Sequence, residues 1–371
     1  MADPCFQNIV LSLLLRHQPV RLPESWEGFP RFLTLAQFQG LMYRLTDDPD
    51  VLPADILRFV EQAYYSTLAA NSLRIERLEA LEKRLSSENI PVILLKGAAL
   101  LDTVYQDPGM RPMEDIDLLV RTGDLPALRK ILKQSAYKAD DHFPMMFRRE
   151  DVLIDVHTSL MHTSRIKNRW PLFPMDLEQV FNQSVPWREG FTFVRIPDEC
   201  THLIFMAHHM IKHSFSKLIW LVDFFQVVRD REDTFWKIFE AGALQYHQEK
   251  PLAYIFYLLK EMFCFLPPQT TVFYQYGSKI SGIARVLLRH RSRGHSIGDW
   301  GNALWIGCAP SQQAKLQLSK ETLFPAMSVL RREHASCGIT DSSKIYFTRC
   351  ARIADRFKTN LDVLVSALHG R

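Results

Sequence analysis

Between residues 91 and 160, short apolar runs alternate with stretches patterned for helix. This alternation restricts the chain to folds in which helices cover a sheet. Pro91 to Leu95 reads as a buried strand, Lys96 and Gly97 punctuate it, and residues 98–105 have helical composition. Asp107, Pro108 and Gly109 signal a turn. Residues 116–120 are a second apolar run, flanked and interrupted by carboxylates. A helix is expected over 125–134, and strands over 145–148 and 152–158. A compact α/β unit over about 91–160 accounts for all of these.

The flanks are helical. Leu57, Val60, Tyr64, Leu68, Ile75, Leu78, Leu81 and Leu85 recur at spacings of three, four or seven, which predicts one long helix over 54–85 ending near 86–89. Arg74, Glu76, Arg77, Glu79, Glu82, Lys83 and Arg84 supply its solvated face. Before it lie a short apolar helix candidate at 9–15 and five prolines (Pro19, Pro23, Pro30, Pro49, Pro53), which exclude long regular elements. After a strand candidate at 191–196 the chain reads as mostly helical, most clearly at 202–212, 218–229, 252–264 and 283–289. The expected organisation is an N-terminal helical segment (1–90), an α/β (α+β) core (91–197) and a larger, mostly helical C-terminal domain (198–371).

Composition removes several classes of function. With 371 residues, 47% hydrophobic and 23% charged, the chain can bury a large core. A formal charge of +4 is too small an excess to predict a long nucleic-acid partner. Six cysteines (Cys5, Cys200, Cys264, Cys308, Cys337, Cys350) show no C-x-x-C spacing, which argues against a disulfide framework or a zinc knuckle. No apolar stretch approaches the roughly 20 residues that a membrane span needs, and no basic region precedes the first apolar run. A soluble cytoplasmic protein is the expectation. No P-loop, dinucleotide fingerprint or G-x-S-x-G is present, and no cysteine sits in a nucleophile context.

The chemistry concentrates on carboxylates. Asp115 and Asp117 are two apart on a predicted strand, so both side chains share one face. At about 4 Å and an effective dielectric near 20 they would repel by about 4 kcal/mol. A cation should therefore sit between them, and a hard divalent ion suits oxygen donors. Asp155 and His157 share a face of the later apolar strand in the same way. If the three aspartates converge on metal, neutralising any one should leave the metal-free protein at least as stable as before.

At these residues the sequence resembles the nucleotidyltransferase superfamily that includes DNA polymerase β and the antibiotic nucleotidyltransferases. It is more closely similar to an uncharacterised bacterial nucleotidyltransferase family with a K-G-x-x-L, R-x-x-x-D-I-D-L-L-V and D-x-H series. The resemblance covers about residues 94–160, with weaker echoes at His208, 219–223 and 346–349. Lys96-Gly97 stands where the superfamily usually has G-S or G-G, and Glu114 where a small polar residue often precedes D-x-D. The resemblance implies a small mixed sheet and a site in which Asp115, Asp117 and Asp155 are catalytic and hold two Mg²⁺ or Mn²⁺ ions. Lys96, Gly97, Arg111 and His157 would bind the nucleotide. The implied activity moves a nucleoside monophosphate from an NTP to a hydroxyl or phosphate of a small molecule or peptide, releasing pyrophosphate. Two alternatives stand beside it: a non-catalytic binding or regulatory protein that retains the fold, and transfer to a protein or a tRNA end.

Other polar residues read as structural. His209 and His213 have the spacing of a helical zinc pair but lack the glutamate of a metalloprotease, and packing is the favoured reading. His208, Lys212 and Lys217 are weaker candidates for phosphate contacts. Asp223, inside an apolar helix, predicts a buried polar partner. Arg285, Arg289, His290, Arg291 and Arg293 read as a solvated helix end.

Overall fold

Two fully buried strands set up the sheet. β1 (Val92–Leu95) and β2 (Ile116–Leu119) are buried at every position, as strands covered on both faces must be. They pair antiparallel, Leu95 opposite Asp117. The remaining strands are β3 (Lys138–Ala139), β4 (Met146–Arg149), β5 (Val152–His157), β6 (Val185–Pro186) and β7 (Val194–Ile196). Their order is β3-β4-β5-β2-β1-β7-β6. β2–β5 and β1–β7 are parallel and the other pairs antiparallel, so the sheet is mixed. The two-residue edge strands β3 and β6 are too short to carry an alternation and were not foreseen.

The computed structural model describes residues 7, 9–11, 14, 25–46, 52–141, 143–161, 166, 170–335 and 341–369. The apolar run at 9–15 is thus described only in part, and Cys5, Pro19, Pro23, Pro49 and Cys337 lie outside the described residues. Within them, helices α1 (Phe29–Ala36) and α2 (Gln39–Leu45) are short, as the prolines require. α3 (Ala54–Glu88) is the long amphipathic helix, ended by Asn89 in the left-handed conformation. Leu78, Leu81 and Leu85 of α3 join Val92, Leu94, Ile116, Leu118, Ile154 and Val156 in one core. Each such side chain contributes about 1.5–3 kcal/mol by leaving water. Glu82 fastens α3 to the sheet, its carboxylate accepting from the backbone N–H groups of Thr192, Phe193 and Val194.

One part of the α3 pattern departs from expectation. Arg74, assigned to the solvated face, is buried, on the same stripe as Asn71, Leu78 and Leu81. The stripe carries a polar interruption that bonds to a loop, as described below.

α4 (Lys96–Leu100) runs into a π-helical turn at Leu101–Tyr105, and α5 (Leu125–Gln134) and α6 (Leu177–Gln183) follow. The expected later helices are α7 (Glu199–Lys212), α8 (Ile219–Val228), α10 (Glu249–Phe263) and α12 (Gly282–Ser292). Between and after them come α9 (Asp233–Gln245), α11 (Val272–Ser278), α13 (Trp300–Gly307), α14 (Gln312–Leu323), α15 (Met327–Ala335) and α16 (Ser342–Leu368).

The chain divides into two units. The first comprises Met1–Leu160, Asp176–Met206 and Lys217–Arg231, and includes the sheet. The second comprises Met161–Met175, Ala207–Ser216 and Glu232–Arg371. Its core is aromatic, with Phe239 and Phe256 each about one ring width from Phe273 (centroids 5.0 and 5.2 Å). No helix among the described residues is long and apolar enough to cross a membrane. Cys200, Cys264, Cys308 and Cys350 are free thiols.

Candidate active site

Parallel register brings the carboxylates together. Asp117 on β2 lies opposite Asp155 on β5, and Leu119 opposite His157. Matched residues of neighbouring parallel strands project to the same side about 4.8 Å apart. Asp117, Asp155 and His157 accordingly offer ligand atoms that all lie within 4.8 Å of one another, the one such group among the described residues. Asp115 precedes β2 and is not in that group, although it feels the charges of both Asp117 and Asp155.

Two cations from the chain occupy this centre. His157 Nε2 lies 2.8 Å from Asp117 Oδ1 and 3.2 Å from Asp155 Oδ2, bridging the carboxylates. Lys96 Nζ lies 2.5 Å from Asp117 Oδ1. Its reach follows from register, since Leu95 pairs with Asp117 and Lys96 is the next residue. Lys96 adopts φ +54, a left-handed conformation costly for a side chain with a Cβ. Strain of this kind persists where surrounding structure fixes the residue.

The electrostatics separate the three acids. Burial, with Asp117, Asp155 and Glu114 nearby, pushes the Asp115 carboxyl up to about 6, against the pull of Lys96. Burial would raise Asp117 too, but Lys96 and His157 outweigh it and hold that carboxyl below its ordinary value. Burial would lower His157; its hydrogen bonds to Asp117 and Asp155 prevail and raise it to about 9. At neutral pH the centre therefore holds an imidazolium. The two D-x-D acids differ in company: Asp115 is crowded by other acids, whereas Asp117 is the shared anion of the partly buried Lys96 and the buried His157, which bears on what neutralising each would do to stability.

Arg111 stands apart from open space. It is 4% exposed, and its guanidinium meets Asp223 through Nε (3.1 Å to Oδ1) and Nη2 (2.7 Å to Oδ2), while Nη1 donates to the Pro112 carbonyl. Tyr105 donates its hydroxyl to the same Asp223 at 2.5 Å. Asp223 thus has its buried polar partners within the first unit. Gly97 abuts this group: a Cβ there would come within 3.2 Å of Arg111 Cζ and 3.0 Å of Met113 Sδ, so the glycine makes room for protein side chains.

The loop before D-x-D is held on several sides. Tyr64 donates to Asp107, Arg44 pairs with Asp107 at 3.0 Å, and Asn71 Nδ2 donates to the carbonyls of Pro108 (2.6 Å) and Arg111 (2.9 Å). Glu114 accepts from Gln37 (3.1 Å) and Lys217 (2.8 Å). A Cβ on Gly40 would fall 2.0 Å from the Gly109 carbonyl oxygen, and one on Gly109 would fall 2.3 Å from the Tyr64 ring. Asn71, Arg74 and Tyr105 were missed from sequence. The available signal was a polar pair at i, i+3 within the apolar stripe of α3.

The other candidates belong to packing. His208 is fully buried in the second unit; Trp305 Nε1 donates to its Nδ1 at 2.8 Å, and Gln248 Oε1 takes its Nε2 side. Burial lowers it to about 4, so it is neutral. The rings of His209 and His213 lie 4.6 Å apart, tilted by 49°, and the described residues show no metal group around them. The basic helix end is only partly solvated: Arg291 is buried and donates to the Phe215 carbonyl at 2.8 Å, and His290 stacks on His295.

The donor set fits a divalent cation. The carboxylate oxygens of Asp117 and Asp155 converge, with Asp115 close enough to feel both charges, and a hard divalent ion suits such oxygen donors. Comparison with curated proteins and with solved structures finds no match. A family model described as uncharacterised nucleotidyltransferase matches residues 24–264, well over half of the chain and all of the sheet. The chain belongs to the uncharacterised nucleotidyltransferase family.

Proposed function

We propose that this chain moves a nucleoside monophosphate from an NTP to a hydroxyl or phosphate of a small molecule or peptide and releases pyrophosphate. The observation that carries the reading is the side-by-side register of Asp117 and Asp155, bridged by His157, in a member of a nucleotidyltransferase family. Mg²⁺ or Mn²⁺, held by Asp117 and Asp155 with Asp115 beside them, would neutralise charge on the α-phosphate and the leaving pyrophosphate. Asp155 would accept the acceptor's proton, a role supported by its being the more exposed of the two paired acids (27% against 4%). The acceptor oxygen then bonds to the α-phosphorus as the bond to the bridging oxygen breaks. Lys96 and His157 keep Asp117 ionised and in place throughout. The modest net charge favours a small acceptor over a long nucleic acid.

The test is incubation with each labelled NTP, Mg²⁺ or Mn²⁺, and a cell extract, followed by identification of the labelled species. Label that requires metal and vanishes with EDTA is expected. One observation favours a second reading, a non-catalytic binding protein: Lys96 already places a cation on Asp117. NTP binding that ignores metal, with no label transferred, would select it.

A further inference from the structure

Cations around the sheet's carboxylates mostly have anionic partners. Lys96 meets Asp117, Arg111 meets Asp223, Arg188 meets Asp102, and Arg77 meets Glu150. Arg74 does not. It is 7% exposed, and among the described residues its guanidinium makes one hydrogen bond, from Nη1 to Asn71 Oδ1 at 3.1 Å. That acceptor is neutral. Nε is sealed from solvent without a partner, whereas Nη2, equally unpartnered, keeps a path to solvent. No carboxylate of the described residues lies within ion-pair distance. The charges it feels are those of Asp115 and Asp151, and burial still holds its pKa below the ordinary arginine value. A guanidinium withdrawn from water with one neutral acceptor is unfavourable until an anion joins it.

Its position is also set. Asn71 uses its amide nitrogen on the Pro108 and Arg111 carbonyls and its amide oxygen on Arg74. One side chain therefore ties the guanidinium to the segment that leads into Asp115. Arg111 has all three guanidinium nitrogens engaged within the protein, and Lys96 is on Asp117. That leaves Arg74, within charge range of Asp115 and tied through Asn71 to the segment that enters it, as a buried cation with capacity for a ligand.

We propose that Arg74 is an oxyanion-binding residue beside Asp115, its open Nη2 taking a phosphate oxygen of the nucleoside triphosphate. Nη2 donates in the fixed plane of a guanidinium whose other nitrogens are bonded or enclosed within the protein, whereas Lys would offer only a point charge. The identity of the ligand rests on the nucleotidyl-transfer reading; the anion site itself rests on Arg74's surroundings.

The experiment uses the full chain with inorganic tripolyphosphate and Mg²⁺ as a base-free probe, and an equimolar NTP mixture in parallel. Arg74→Met should weaken tripolyphosphate binding by about tenfold or more. Arg74→Lys should fall between it and wild type, and Arg77→Met, one turn away, should match wild type. In EDTA, Arg74→Met should melt at or above wild type, because an unpaired buried charge is gone. A purely structural counter-charge to Asp115 predicts the reverse: a lower melting temperature with unchanged affinity. Wild-type affinity in both Arg74 variants, or a wild-type chain that binds no tripolyphosphate, overturns the assignment. Should Arg74→Met fail to fold, Arg74→Lys decides, with a loss of at least about threefold expected. Tripolyphosphate binding that depends on Arg74 without any NMP transfer would leave the anion site standing and remove the transferase reading. Transfer with Arg74-independent affinity would do the opposite.

Discussion

Two buried histidines show what separates the sheet unit from the helical one. His157 and His208 are 6% and 0% exposed, so both lose hydration. His157 lies between two carboxylates and is raised to about 9; His208 lies between an amide and an indole and is lowered to about 4. The same side chain is a cation in one place and a neutral peg in the other. Burial alone therefore does not mark a reactive group. What marks it is burial in the company of charges that could be rearranged by a ligand, and within the described residues that company gathers around Asp117.

The largest effect should come from Asp117→Asn. Transfer should fall by at least about a thousandfold. The metal-free protein should also lose about 1–3 kcal/mol, because Lys96 would lose its carboxylate partner and His157 would keep only Asp155. Labelled-NTP assays and melting in EDTA read the two effects separately. A variant that keeps its activity would erase the contrast between the units.

Next comes pH. His157 is raised above its unfolded value, so its contribution is fully present below about pH 6.5 and is lost as pH rises through about 9. His208 is depressed, so its contribution is present above about pH 6.5 and is lost as pH falls through about 4. Each amounts to about 3 kcal/mol at its extreme. Proton NMR titration of the two imidazoles, with melting curves of His157→Gln and His208→Gln, would expose the opposite signs. Two histidines that titrate together would break the comparison.

A smaller loss, about 1–3 kcal/mol, is expected for Trp305→Phe, which leaves His208 Nδ1 without its donor. Tripolyphosphate affinity should not change. The smallest effect is a gain. Asp115→Asn should stabilise the metal-free protein by about 1 kcal/mol at pH 7 after solvent screening. It should also abolish the decline in stability as pH rises from about 4 through about 6, because a carboxyl raised by folding favours its protonated form. Melting in EDTA across that range measures it.

What could be read in advance follows from physical range. β1, β2 and β5 announce themselves through local apolar composition, and the D-x-D and D-x-H spacings place acids on one face once strands are granted. Their convergence needs only the β2–β5 register. Arg111 and Asp223 are 112 positions apart, and no local pattern couples them. Arg74 sits among charged residues of α3, so the sequence marks its neighbourhood as solvated; its burial beside Asn71, which bonds the 108–111 loop, is a tertiary feature. The edge strands β3 and β6 owe their form to their neighbours, two residues being too few to show a period.

The glycine contact between residues 40 and 109 bears on how this chain can be divided. Backbone approaches backbone there with no room for a methyl group, and Tyr64 and Asn71 close over the same loop. A piece starting at residue 91 would retain every strand and every acid of the centre. It would nevertheless expose the Pro108 and Arg111 carbonyls to water and release the segment entering Asp115. For expression or transplantation, the smallest useful piece of the sheet unit begins upstream of Gly40.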